Sequence, residues 1–232
     1  MLDGIIAALS GIRASLLRQD VSANNVANVS STGFARSRVN QVEGRRGGTE
    51  VGSISRDFTP GAIELTDRPL DVALQGLTFI AVLGPRGRQQ YTRAGNLSVD
   101  AEGYVSLPDG RRVAGNVRLP AGAEGIEIAS DGGVLARIGG AEQVVGRLEL
   151  ARFANPEGLV AVGSGLFEAT AASGPPIATD GLGVTPGYLA GANTDLAEEA
   201  VQSIAALVGL RANVQTIRTQ DDLLGTLLNL RR

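Results

Sequence analysis

Two apolar heptad stripes, one at each end of the chain, constrain the fold more than any other feature. Positions 2, 5, 9, 12, 16, 19, 23 and 26 step alternately by three and four and hold Leu2, Ile5, Leu9, Ile12, Leu16, Gln19, Ala23 and Val26. This spacing predicts a helix ~40 Å long with an a/d seam that carries one polar residue. The C-terminal region repeats the pattern through Ala200, Ser203, Leu207, Leu210, Val214, Ile217, Asp221, Leu224 and Leu228. It predicts a second helix ~50 Å long, opened by Asp195 and Glu198 in the arrangement of a capping box. Gly209, in mid-helix, costs ~1 kcal/mol relative to Ala. Neither helix can bury its stripe alone. The stripes pair with each other inside one chain, or pack in addition against other copies; a wide apolar face serves both.

Between the stripes the text changes character. Residues 31–68 are polar and glycine-containing, with "VEGRRGGTEVGS" at their centre, and read as an extended, partly flexible arm. "GRRGG" lacks the Lys-Ser/Thr of a phosphate loop. Residues 69–186 hold short β-type runs ("LDVAL", "TFIAVLG", "RVAGNVRL", "IEIASDGGVLARI", "GRLELARF") separated by turn signals such as Pro108–Gly110 and Asp131–Gly133. The expected fold class is therefore α+β. A terminal helical layer is formed by residues 1–30 and 187–232, and an antiparallel β-domain, sandwich or barrel-like, is inserted after the arm.

Residue types missing from the chain narrow its chemistry. Its 232 residues contain no His, no Cys and no Lys. That removes Ser-His-Asp and Cys nucleophile chemistry, His-ligated metals, structural zinc and Schiff-base catalysis. No cofactor, metal or small-molecule substrate is expected. Adjacent Glu198 and Glu199 point apart on a helix, so they make a poor catalytic pair, and Glu199 reads as surface charge. All 21 basic residues are Arg, scattered among 24 acidic ones for a net charge of −3, which is no footprint for nucleic acid. The first twenty residues lack a basic n-region and an unbroken apolar core, so no cleaved signal peptide is expected.

Asn24, Asn25 and Asn28 sit in "ANNVANVSSTGFA", near the end of the first helix. Asn is roughly 0.6 kcal/mol worse than Ala inside a helix. With Ala23 at heptad position a, the three fall at b, c and f, away from the intrachain seam. One reading is a simple helix-terminating cluster. The other is a polar register surface between subunits, since a slipped amide network leaves unpaired groups costing ~1–3 kcal/mol each.

Five collinear stretches resemble the axial proteins of the bacterial flagellum, the rod and hook family of the basal body. They are "ANNVANVSSTGF" (matching at Asn25, Ala27, Asn28, Gly33 and Phe34), "PLDVALQG" at Pro69–Gly76, "YTRAGNLSVDAEGYV" at Tyr91–Val105, "GYLAGANTDLAEE" at Gly187–Glu199 and "IRTQDDLLGTLLNL". The chain departs from the family where a Gln-Arg-Ala-aromatic run is usual, holding Leu207, Val208, Gly209 and Leu210. It departs again where Thr78 and Ile80 stand in a Gly-x-Gly-Phe-Phe segment. The short arm is similar to proximal-rod members, and "SGLFEATAASG" is similar to distal ones.

The resemblance implies a structural rod subunit, not an enzyme, that self-assembles into a torque-transmitting drive shaft. Its partners would be copies of itself, other rod and hook axial proteins, the flagellar export apparatus and a surrounding ring. Its place would be the periplasmic part of the basal body. The expected assembly interface comprises Leu2, Ile5, Leu9, Ile12, Leu16, Asn24, Asn25, Asn28, Leu207, Leu210, Val214, Ile217, Leu224 and Leu228. A hook-type axial protein and a secreted β-domain binding module are the alternatives.

Overall fold

The computed structural model describes residues 2–45, 47–115, 117–179 and 183–229; within these, the side chains of 2 and 227–229 are outside the description. The side chains of Leu2 and Leu228, and the whole of Arg46, Arg231 and Arg232, therefore lie outside the described residues. The chain is α+β and divides into two units. The first comprises residues 1–28, 36–57 and 194–232, and the second residues 29–35 and 58–193.

The first unit holds both stripe-bearing helices, α1 (Leu2–Ala27) and α2 (Leu196–Asn229). Their lengths of 26 and 34 residues correspond to ~39 and ~51 Å. Asp195 starts α2 as expected, its Oδ1 accepting the Ala197 and Glu198 N–H groups at 2.8 and 3.3 Å. Among the described residues Glu198 makes no return bond to the Asp195 N–H; its carboxylate pairs with Arg36. Contacts of Gly4 with Gln220, Gly11 with Asn213 and Ser15 with Gly209 set the two helices antiparallel. No described helix is long and apolar enough to cross a membrane.

The segment expected to be a partly flexible arm forms a hairpin. β1 (Ser37–Glu43) pairs antiparallel with β2 (Thr49–Arg56), with a bulge at Asn40/Gln41. The hairpin runs back along α1. Its start is bound at Asn25, and near its tip the Thr49 N–H donates to Ser10 Oγ at 3.1 Å. The fifteen residues from Asn25 to Ser10 span ~22 Å of helix, close to the ~23 Å of a seven-residue strand. A Cβ on Gly48 would lie 2.4 Å from Ser10 Oγ and 2.8 Å from Ala7 Cα. Glycine is what lets the turn sit down on the helix.

The second unit is antiparallel β-structure. A six-stranded sheet runs in the order Val160–Gly163, Leu166–Glu168, Gln89–Thr92, Phe79–Leu83, Leu150–Arg152, Ile177–Ala178. A three-stranded sheet is formed by Ala141–Arg147, Gly133–Ile138 and Gly125–Ile128. Three short pairs complete it, among them Val184–Pro186 on Val72–Leu74 and Tyr188–Ala190 on Ile63–Leu65. Both expected turns form, with Gly110 and Gly132 at φ +85° and +77°.

Its main core is aliphatic, centred on Val72, Leu74, Ile80, Leu97, Ile128 and Leu166. The few aromatics are concentrated in one place. Phe58, Phe79, Phe153 and Phe167 pack edge-to-face with centroids 5.1–6.2 Å apart, and Tyr91 joins at 4.8 Å from Phe153. That geometry sets ring edges against ring faces, the favourable alignment of aromatic quadrupoles.

Candidate assembly interface

The two terminal helices meet mainly through small side chains; of the expected stripe, Gln19 and Ser203 meet, the Gln19 Nε2 donating to Ser203 Oγ at 2.8 Å. On α1 the buried face carries Ala8, Ser15, Ser22 and Asn25, with half-buried Gly4 and Gly11 in the same three-four register. This seam runs beside the apolar stripe, about 100° round the helix from it. Leu9 and Leu16 are 43% and 49% exposed, Val26 is exposed, and Ile5 and Ile12 are half-buried. The correction has a simple cause. Glycine, alanine and serine let two backbones approach closely, and a Cβ on Gly11 would lie 2.6 Å from Asn213 Nδ2. The larger apolar residues have no room in that gap and turn outward.

On α2 the intrachain face is nearer to expectation. Leu210, Val214, Ile217 and Leu224 are half-buried and Ala206 is buried. Leu207 is exposed, beside an apolar surface that includes Val201 and Ile204, 64% and 63% exposed. Residues 200–210 contain no charged side chain. Both helices thus hold a close seam between them and leave large apolar side chains facing out.

The three asparagines have three different roles. Asn25 is buried, contrary to the heptad placement that set it on a wet outer face. Its Oδ1 accepts the Ser37 N–H at 2.9 Å, and its Nδ2 donates to the Ser37 carbonyl at 2.9 Å and to Glu199 Oε1 at 2.8 Å. The amide copies a strand's hydrogen-bond pattern and so docks β1 on α1 and α2 together. Glu199 is correspondingly buried, not a surface charge, and its carbonyl also accepts from Ser22 Oγ at 3.0 Å. Asn28 closes the helix, its Nδ2 donating to the Asn24 carbonyl at 2.9 Å. Asn24 is exposed.

Ion pairs reinforce the same corner. Arg36 bonds Glu198 and lies 3.5 Å from Asp57. Its guanidinium loses solvation by burial, and the two carboxylates outweigh that loss and hold its pKa above the usual value. Serine and arginine in polar text gave no periodic signal, so sequence reasoning missed Ser37 and Arg36, and read Glu198 as a capping residue and not as the partner of Arg36. The small-residue spacing of Gly4, Ala8, Gly11 and Ser15 was present but weaker than the leucine stripe beside it.

Known proteins give this geometry a context. Residues 73–136 match the family described as "Flagellar hook protein FlgE/F/G D1 domain", and residues 185–230 that described as "Flagellar basal body rod FlgEFG protein C-terminal". The chain is 32% identical to the flagellar basal-body rod protein FlgG of Borreliella burgdorferi, with all of both chains covered. It is 34% identical to FlgG of Caulobacter vibrioides over 97% of each chain. The chain belongs to the flagellar basal-body rod protein family. Escherichia coli FlgF, another basal-body rod protein, is similar at 34% identity over 94% of each chain.

Parts of three of the stretches that suggested this rod family converge in the second unit. Gly33, at φ +66°, donates its N–H to the Ala190 carbonyl at 2.9 Å, and a Cβ there would lie 2.3 Å from the Arg93 carbonyl oxygen. Asn193 donates its N–H to the Phe34 carbonyl and its Nδ2 to the Thr59 carbonyl. Arg93, from "YTRAGN", is buried, donating to the carbonyls of Thr78 at 3.0 Å and Leu74 at 3.4 Å beside the Phe79 ring. Burial pushes its pKa down to about 10. "TGF", "YTRAG" and "LAGAN" are three sides of one junction.

Proposed function

We infer that this chain is a structural subunit of the flagellar basal-body rod, joining copies of itself and other axial proteins through its terminal helices. One observation carries the reading: α1 and α2 close on each other through small residues and leave Leu9, Leu16, Ile204, Leu207 and Val208 exposed. Large apolar side chains left exposed in groups on a helix mark an interaction site. In a tube of such subunits, the outward faces of one helix pair become the buried faces of the next. The role is mechanical, not catalytic: apolar burial gives strength, and polar contacts fix register against sliding.

The subunit reaches that site in the periplasm through the flagellar export apparatus. Its assembly surface comprises Leu9, Ile12, Leu16, Leu207 and their neighbours, with Asn24 at the rim. Its β-rich unit is the part available to a surrounding ring. The test is a deletion strain. Basal bodies purified from it are expected to lack a complete rod and any hook. Basal bodies with a complete rod but no hook would instead favour a hook-type protein, and normal motility would overturn both.

A further inference from the structure

We propose that a cavity beside Arg18 receives the Asp221–Asp222 carboxylates of a second copy of this chain. The proposal rests on the rod-subunit reading and gives it a contact between named residues. The cavity, about 280 Å³, lies inside the first unit and is lined by Arg18, Arg36, Ser37, Arg38, Glu198 and Glu199, among others, so its arginines outnumber its carboxylates. Arg36 and Arg38 are matched there by Glu198, at 3.8 Å in the second case. Arg18 makes no ion pair among the described residues, and its Nε is buried without a hydrogen-bond partner. A buried N–H without an acceptor is costly, and an incoming carboxylate supplies one.

Asp221 and Asp222 are the complementary feature. Both are exposed on α2 and make no ion pair among the described residues. They cannot reach Arg18 of their own chain. Gln220 touches Gly4, and the fourteen residues from Gly4 to Arg18 span ~21 Å of helix. A like-oriented copy displaced by about that distance along the axis brings the doublet to the cavity. Such a contact joins different patches on the two copies, so it repeats without closing and builds an open polymer.

The absence of native cysteine makes the contact directly testable. The full chain carrying both Arg18→Cys and Asp222→Cys is expressed in a rod-deficient strain, and its basal bodies are oxidised. Disulfide-linked dimers and longer ladders are expected from the double variant and not from either single one. An intrachain bridge is excluded, because a disulfide tolerates no more than ~7 Å between Cα atoms.

Charge reversal supplies a second readout. Arg18→Glu alone, or Asp221→Arg with Asp222→Arg, is expected to lower rod incorporation about tenfold, and the three together to restore it. Thermal unfolding of each isolated variant separates misfolding from lost contact. Rods that incorporate the double-cysteine chain without cross-linking overturn the Arg18 contact alone. Failure of the unsubstituted chain to enter rods overturns the rod reading, and this contact with it.

Discussion

Asn25 holds Ser37 by both of its backbone polar groups, accepting the N–H and donating to the carbonyl, each at 2.9 Å. The same amide reaches Glu199 at 2.8 Å. Asn25→Ala therefore strands a backbone N–H, a carbonyl and a carboxylate at a buried site. A destabilisation of about 2–4 kcal/mol is expected, read by urea unfolding of the isolated chain. Asn24→Ala, at an exposed position, is expected to stay within about 0.5 kcal/mol. Equal effects for the two substitutions would contradict the docking role of Asn25.

Gly33 is required twice, by its positive φ and by the Arg93 carbonyl against its Cα. Gly33→Ala is expected to destabilise the β-rich unit by about 2–4 kcal/mol. Gly76 provides the comparison, with φ +58° and no atom within 4 Å of its Cβ position. Gly76→Ala should lose only about 1 kcal/mol. Near-UV circular dichroism during thermal unfolding, following the aromatic cluster, measures both.

Overfilling the helix seam should affect α-structure selectively. Gly11→Leu places a branched side chain where Asn213 lies 2.6 Å from the Cβ position. The expected loss is about 1–3 kcal/mol, with helical ellipticity melting earlier and the aromatic signal unchanged. Unchanged ellipticity would mean that the helices do not meet through Gly11.

The outward leucines should behave in the opposite way. Leu9→Ser with Leu16→Ser removes exposed apolar surface, so isolated-chain stability should change by less than about 1 kcal/mol. Motility in soft agar should nevertheless fall sharply. A double variant that swims normally would remove these residues from the assembly surface.

One carboxylate predicts a pH effect. Desolvation raises the Asp100 pKa, but the Tyr104 N–H, the Arg112 pair and the Glu102 N–H together outweigh it and hold it below the usual value. A depressed folded-state pKa contributes stability that is present above the unfolded value of ~3.9 and is lost as pH falls through the folded one. Asp100→Asn should thus be less stable than the parent at neutral pH and show a shallower further loss below about pH 4. Acid titration followed by fluorescence of Tyr104 and its neighbours compares the two slopes.

Sequence periodicity located both helices, because a three-four repeat is a property of the helix itself. It misassigned the intrachain face of α1, because a leucine stripe reports that something will be buried, not by which chain. The seam that closes inside one subunit is written in Gly4, Ala8, Gly11 and Ser15, whose small size matters only once a partner backbone is in place. The β-runs were legible from Phe79–Leu83 and Gly133–Ile138, where turn glycines bracket apolar residues. The hairpin of β1 and β2 was not, since its strands are mostly polar and owe their position to Asn25 and Ser10. Arg93 was equally opaque: nothing local announces a buried arginine held by carbonyls alone.

The small-residue seam has a consequence for when the subunit becomes ordered. A helix pair joined through glycine, alanine and serine removes little apolar area from water, so most of the hydrophobic gain waits for a neighbour. Order in that part of the chain then depends on the local concentration of binding partners, by mass action. A growing end presents partners already fixed in place, whereas a dilute pool of free subunits does not. In the proposed rod, elongation would thereby be favoured over spontaneous nucleation, with free subunits held back from polymerising by their own packing.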